Sequence, residues 1–205
     1  HTLAARIASE AITLLRNEDD ILPLSAGTRV ALIGDLADTP RFQGSGSSQV
    51  NPTRVEAPCE LLEAGGETAR GLVLAGYARG YERHGGTSDA CIAEAVALAA
   101  SADVALVYVG LDELAESEGL DRPHMGLPEG QDRLIEAVVA ANPRTVVVLT
   151  GGASVEMPWA DSVPALVNGY LGGQGGAGAM LDVLTGTVNP SGRLAETYAR
   201  SHEDH

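Results

Sequence analysis

The residues of this chain best suited to chemistry lie between Gly110 and Arg122. Asp112, Glu113, Glu116, Glu118, Asp121 and Arg122 crowd into a loop that follows the apolar run Asp103-Val-Ala-Leu-Val-Tyr-Val109. Carboxyl groups gathered in one place can have their proton affinities pushed apart, which acid/base catalysis requires. Cleaving a glycosidic bond takes two of them: one protonates the leaving oxygen, and the other attacks or activates water. Glu116 and Glu118 are the candidate proton donors, and burial or a nearby negative charge would raise the pKa of either. Arg122 is placed to orient one of them or to bind a substrate hydroxyl. Clustered acids on loops are also common as plain solvated surface, so spacing alone leaves that reading open.

A second stretch, Arg41-Phe-Gln-Gly-Ser-Gly-Ser-Ser-Gln-Val-Asn-Pro52, also follows an apolar run. Its glycines, with Ser45, Ser47 and Ser48, could offer amides and hydroxyls to a phosphate or a sugar. It lacks the Gly-Lys-Ser/Thr ending of a P-loop and the spacing of a dinucleotide fingerprint, so phosphate is disfavoured. Phe42, the single phenylalanine, could stack on a sugar face there, or the segment is simply a structural turn. Trp159, the single tryptophan, reads as a buried anchor rather than a sugar platform. His84 and His124 have no metal-ligand spacing and read as surface or hydrogen-bonded residues. No metal and no cofactor is expected. Gly151-Gly-Ala-Ser154 is not a nucleophile elbow, which disfavours serine-hydrolase chemistry.

The elements that must position these loops alternate between helix and strand. Residues 1–16 carry Leu3, Ile7, Ala11 and Leu14 at helical spacing and predict one amphipathic helix. Further helices are expected at 58–64, at 88–100 behind a Ser88 N-cap, at 128–141 with Pro128 in the first turn, and within 172–184. Apolar strands are expected at 29–34, 72–77, 103–109, 145–150 and 165–171. Strands apolar on both faces and separated by helices imply a mostly parallel sheet covered on both sides. In such sheets ligands bind outside the carboxyl ends of the strands, where both loops begin. The whole of 1–205 reads as a single α/β domain.

Composition narrows the partners. Apolar residues make up 44% of the chain but aromatics only 3%, so the core must be built mainly of Ala, Val and Leu. The formal net charge is -15, a field that repels nucleic acid and suits a neutral substrate such as a sugar. There is no lysine, which removes Schiff-base and P-loop lysine chemistry. Cys59 and Cys91 fall in separate predicted helices and read as free thiols. No run approaches the roughly 18–20 apolar residues of a membrane span. Without a secretory signal pattern, a soluble, cytoplasmic protein is expected.

Taken in order, the segments carry a resemblance. Leu14-Leu-Arg-Asn-Glu18, Leu22-Pro-Leu24, Val30-Ala-Leu-Ile-Gly34 and Gly44-Ser-Gly-Ser-Ser48 come first. Glu116-Ser-Glu-Gly-Leu-Asp-Arg122, Leu127-Pro-Glu-Gly-Gln131, Val155-Glu-Met-Pro-Trp159 and Asn189-Pro-Ser-Gly-Arg-Leu194 follow. The set resembles the C-terminal α/β-sandwich domain of family 3 glycoside hydrolases of the β-glucosidase type, across essentially the whole chain. The resemblance implies a three-layer sandwich with a six-stranded, mostly parallel sheet. It also implies a partner (β/α)8 barrel that carries an aspartate nucleophile and lies outside this sequence. Aligning the loop on Arg122 and Leu127-Pro128 assigns the general acid/base to Glu118, with Glu116 in reserve. Ser47, Ser48, Phe42 and Arg122 would then border a β-glycoside substrate. Ala195 departs from the proline expected in the closing motif. The chain is expected to be nearly inactive without its barrel. A non-catalytic carbohydrate-binding or scaffold domain of the same fold is the alternative.

Overall fold

The computed structural model describes residues 1–204. Its sheet is built from the runs that offer apolar side chains to both faces: β2 (Arg29–Ile33), β4 (Val104–Gly110) and β5 (Thr145–Thr150). Every residue from Val104 to Gly110 is buried. With β1 (Thr13–Asn17), β3 (Val73–Ala78) and β6 (Ala165–Asn168) they form six strands in the order β1-β6-β5-β4-β2-β3. All neighbours are parallel except β1, which runs antiparallel to β6 and bulges between Leu14 and Arg16.

Helices cover both faces. On one side α1 (Thr2–Ala11) and α3 (Pro58–Ala64) pack on α6 (Gly176–Leu184), and the short α2 (Asp35–Asp38) packs on α3 and β4. On the other side α4 (Asp89–Ala100) packs on α5 (Gln131–Ala141). The architecture is the three-layer α/β sandwich that strands apolar on both faces require.

Local chemistry sets several boundaries. The Ser88 hydroxyl accepts from the Cys91 amide and caps α4, satisfying one of the donors a helix start leaves open. The α5 helix begins at Gln131, three residues later than expected, because Gly130 adopts a left-handed turn (φ 90°). The Gln131 side chain then closes on both backbone groups of Gly110, at 2.8 and 3.0 Å. Trp159 is buried, and its indole N–H donates to Asp132 at 2.7 Å, which makes it the anchor expected. Cys59 is a buried free thiol whose pKa burial and Glu63 push up to about 11; Cys91 is free and half-buried. Among the described residues, no helix is long and apolar enough to cross a membrane.

The amino-terminal expectation fails. Residues 1–16 are not one helix, because α1 ends at Ala11 and Thr13–Asn17 form β1. Leu3 and Ile7 face outward at 61% and 57% exposure, whereas Ile12 is 1% exposed and begins the turn into the sheet. The pairing of β1 with β6, some 150 residues away, overrides the local period. Likewise β6 stops at Asn168 rather than 171, where Tyr170 turns to a positive φ of 51°.

The sheet order locates the site. β2 lies between β3 and β4, so the chain leaves β2 towards one neighbour and returns along the other. Connections diverge at such a switch point and open a crevice at the strand tips. The loops after β2 and β4 both start there.

Candidate functional site

The acidic loop has two halves of different character. The first is pinned. Asp112 is buried, accepts from the amides of Leu114 (3.0 Å) and Ala115 (2.7 Å), and meets His84 Nδ1 at 3.0 Å. Glu113 pairs with Arg83 at 2.6 Å, and Arg83 in turn holds Asp35 at 2.6 Å. Glu116 forms an ion pair with the Arg41 guanidinium and also takes the Gly152 amide on both oxygens, at 2.9 and 3.0 Å. Arg41 is 4% exposed and donates as well to the Leu111 carbonyl at 3.2 Å. Glu116 is therefore saturated with donors and ties the loops after β2, β4 and β5 together.

The second half is open. Glu118 is exposed, and its Oε2 accepts from the Ser47 amide at 2.8 Å. The Ser47 hydroxyl and amide hold its carboxyl below the usual glutamate range, since hydrogen bonds to a carboxylate favour the charged form. An isolated proton donor would need the opposite shift. The contact depends on Gly46, which sits at φ 85°; a Cβ there would lie 2.6 Å from the Cβ of Glu118. Only glycine lets the loop after β2 lie this close to the glutamate.

Four other expected residues divide. Ser47 meets Glu118 directly. Ser48 instead closes its own turn, its hydroxyl donating to the Ser45 carbonyl at 3.4 Å. Arg122 orients neither glutamate: its Nη2 donates to the Ser154 carbonyl at 3.0 Å, which stitches the acidic loop to the loop after β5. Phe42 is half-buried in a separate pocket with Tyr108 and Met180 and does not join Glu118. Its carbonyl accepts from the Gly173 amide at 2.9 Å, so backbone closure rather than open stacking fixes its place. Sequence reasoning passed over Arg41, Gly46 and Gly152. The signal for Arg41 was a lone basic residue just before a glycine-rich loop in a strongly acidic chain.

Comparison with known proteins gives the family and the fold. Residues 12–205 match the model of the glycosyl hydrolase family 3 C-terminal domain. The chain belongs to this family. The family 3 domain is 49% identical over 199 residues to thermostable beta-glucosidase B of Acetivibrio thermocellus, covering 97% of the chain and 26% of that protein. It is 39% identical over 206 residues to an exo-alpha-(1->6)-L-arabinopyranosidase of Bifidobacterium breve, covering 95% and 26%. The crystal structure of a GH3 beta-glucosidase from Bifidobacterium adolescentis superposes with a TM-score of 0.91 at 40% identity, covering 99% of the chain and 29% of that structure. The chain thus spans about a quarter of the length of the curated relatives it matches.

Proposed function

We propose that this domain supplies the general acid/base of a retaining β-glycosidase, with Glu118 as the proton-transferring group and a partner barrel as the source of the nucleophilic aspartate. The observation that carries the reading is the contrast between the two glutamates: Glu116 is neutralised by Arg41, while Glu118 is exposed at the switch-point crevice with Ser47 as its partner and, among the described residues, no cation beside it. Val50, Leu114 and Leu120 are exposed at 60–64% on the same two loops. Such apolar groups around a polar site suit a surface that another domain covers.

Retention requires the two carboxyls about 5–5.5 Å apart. An ionised nucleophile at that distance, with the loss of water, would raise the Glu118 pKa and load it with a proton. Glu118 then gives that proton to the glycosidic oxygen as the aspartate attacks the anomeric carbon and the alcohol leaves. The aspartate becomes a neutral ester, the repulsion vanishes, and the Ser47 hydrogen bonds again favour the Glu118 carboxylate. That carboxylate takes a proton from water, whose oxygen attacks the anomeric carbon and frees the aspartate. The lowered pKa in the free domain fits the second step and leaves the first to the partner.

The sugar is set elsewhere in this reading. A domain this similar occurs both in a beta-glucosidase and in an exo-alpha-(1->6)-L-arabinopyranosidase, so the barrel makes the choice, and the higher identity to the beta-glucosidase favours terminal β-D-glycosides as the substrate class. In the full-length enzyme, Glu118→Gln should lower turnover about 10²–10⁴-fold on substrates with poor leaving groups. Activated aryl glycosides should suffer less, and azide should restore deglycosylation. Unchanged kinetics on poor leaving groups would remove Glu118 from the mechanism.

A further inference from the structure

We infer that Arg122 and Glu196 are positioning residues that hold the Glu118 turn in place through the backbone of Ser154, a role that rests on Glu118 being the acid/base. The acidic loop runs beside the loop after β5 and is tied to it three times. The Glu116 carboxylate takes the Gly152 amide at 2.9 and 3.0 Å. Arg122 Nη2 donates to the Ser154 carbonyl at 3.0 Å, and the Met125 carbonyl accepts from the Glu156 amide at 2.9 Å. The ties fall on alternate residues, 152, 154 and 156, so the loop after β5 acts as a rail. Residues 117–121 span the first two ties. Gly119 at φ 78° and the Leu120 amide on the Ser117 carbonyl, at 3.3 Å, close that span into a turn. Among the described residues, the turn's hydrogen bonds outside itself go only to Ser47, from Glu118. Its two ends therefore fix where Glu118 stands.

The rail is gripped from its other side. Ser154 is buried, and its amide donates to Glu196 Oε1 at 3.0 Å. The backbone of one residue thus joins a guanidinium at its carbonyl to a carboxylate at its amide. Both are charge-assisted hydrogen bonds, roughly twice as strong as neutral ones. Glu196 lies on the irregular segment after α6, and that segment is anchored on either side of it. The Gly192 amide donates to the Ile12 carbonyl at 3.1 Å, in an approach so close that a Cβ would lie 2.2 Å from the Ala11 carbonyl oxygen. The Tyr198 hydroxyl accepts from the buried Asn168 side chain at 2.9 Å. Glu196 itself is exposed, so packing of the core does not call for it.

Retention leaves little tolerance for a wandering turn. The two carboxyls must stand about 5–5.5 Å apart, and a misplacement of about 1 Å can cost about 10²-fold in rate. Without Glu196 the Ser154 amide loses its partner, the rail loosens where Arg122 meets it, and the far end of the turn is freed. The loss falls on steps that need Glu118. For a poor leaving group that includes protonation of the departing oxygen, which kcat/KM reports. An activated aryl group leaves without that proton, so its kcat/KM is spared and only its kcat, through deglycosylation, declines.

The test compares alkyl and activated aryl β-glycosides in the full-length enzyme. Glu196→Ala should lower kcat/KM about tenfold on alkyl glycosides and leave it within about twofold on activated aryl ones. Glu196→Gln keeps an acceptor oxygen and should recover most of the loss. Arg122→Ala should show the same leaving-group dependence, and the double variant should lose no more than Arg122→Ala alone, because the two act in series. In a Glu118→Gln background, Glu196→Ala should add nothing. Equal losses on both kinds of substrate, no loss at all, or a further tenfold loss in the Glu118→Gln background would overturn the positioning role. A Glu118→Gln enzyme with parental kinetics would instead remove the acid/base assignment, and the positioning roles with it.

Discussion

Glu116 and Glu118 are two residues apart on one loop and live in different worlds. Glu116 faces inward, where one guanidinium and one amide consume its lone pairs. Glu118 faces the crevice and is held only by the hydroxyl and amide of Ser47, which a small movement would release. Identical side chains thus divide into a fastener and a working group, and the division comes from what the neighbouring loops place beside them. A part-buried carboxylate paired with a buried guanidinium is expensive to disturb, whereas an exposed one can change protonation freely. Proton shuttling needs the second kind, held in place by the first.

The widest separation between the two should come from their amide variants. Glu118→Gln should cost the full enzyme about 10²–10⁴ in turnover while melting stays within about 2 °C of the parent; a large loss of melting temperature would erase the distinction. Breaking the fastener comes next. Arg41→Ala empties a buried site and leaves the part-buried Glu116 without its cation; it should destabilise the domain by about 3 kcal/mol, or about 6–12 °C in Tm, measured by calorimetry. A smaller effect belongs to Gly46→Ala. Its positive φ and the clash with Glu118 should cost about 1 kcal/mol and push the loop off the glutamate, lowering turnover on poor leaving groups about tenfold. The finest test is a carboxyl NMR titration of Glu118 in the family 3 domain. Its pKa should fall below the ordinary glutamate value of about 4.3 and rise again in Ser47→Ala. Because the native pKa is lowered, any stability this contact adds is complete above the ordinary glutamate range. It is lost as pH falls through the native value.

Much of the fold was readable where a local signal and the tertiary answer agree. Val104–Val109 could only be a buried strand, Ser88 could only favour a helix start, and the acidic loop had to begin at a strand tip. The amino terminus misled because Leu3, Ile7, Ala11 and Leu14 do keep helical spacing, yet two of them face outward and the last belongs to a strand. Only the distant partner β6 decides that. The site divided along the same line. Glu118 and Ser47 were visible as types in glycine-rich or acidic loops. Their contact, and the claim of Arg41 on Glu116 across 75 positions, arise from strand order, and no local pattern encodes it. The contacts of Arg122 and Phe42 were not legible, because residue type suggests what a side chain can do and says nothing of which carbonyl or pocket takes it first.

The exposed Val50, Leu114 and Leu120 on the crevice rim have a colloidal consequence. In a chain of net charge -15, mutual repulsion keeps one such greasy rim from meeting another in dilute neutral buffer. Acidifying the solution, or adding salt to shorten the reach of that repulsion, should let molecules associate tip to tip. Light scattering that rises under those conditions, and subsides when Leu114 and Leu120 are made serine, would trace clumping of the separated domain to this rim.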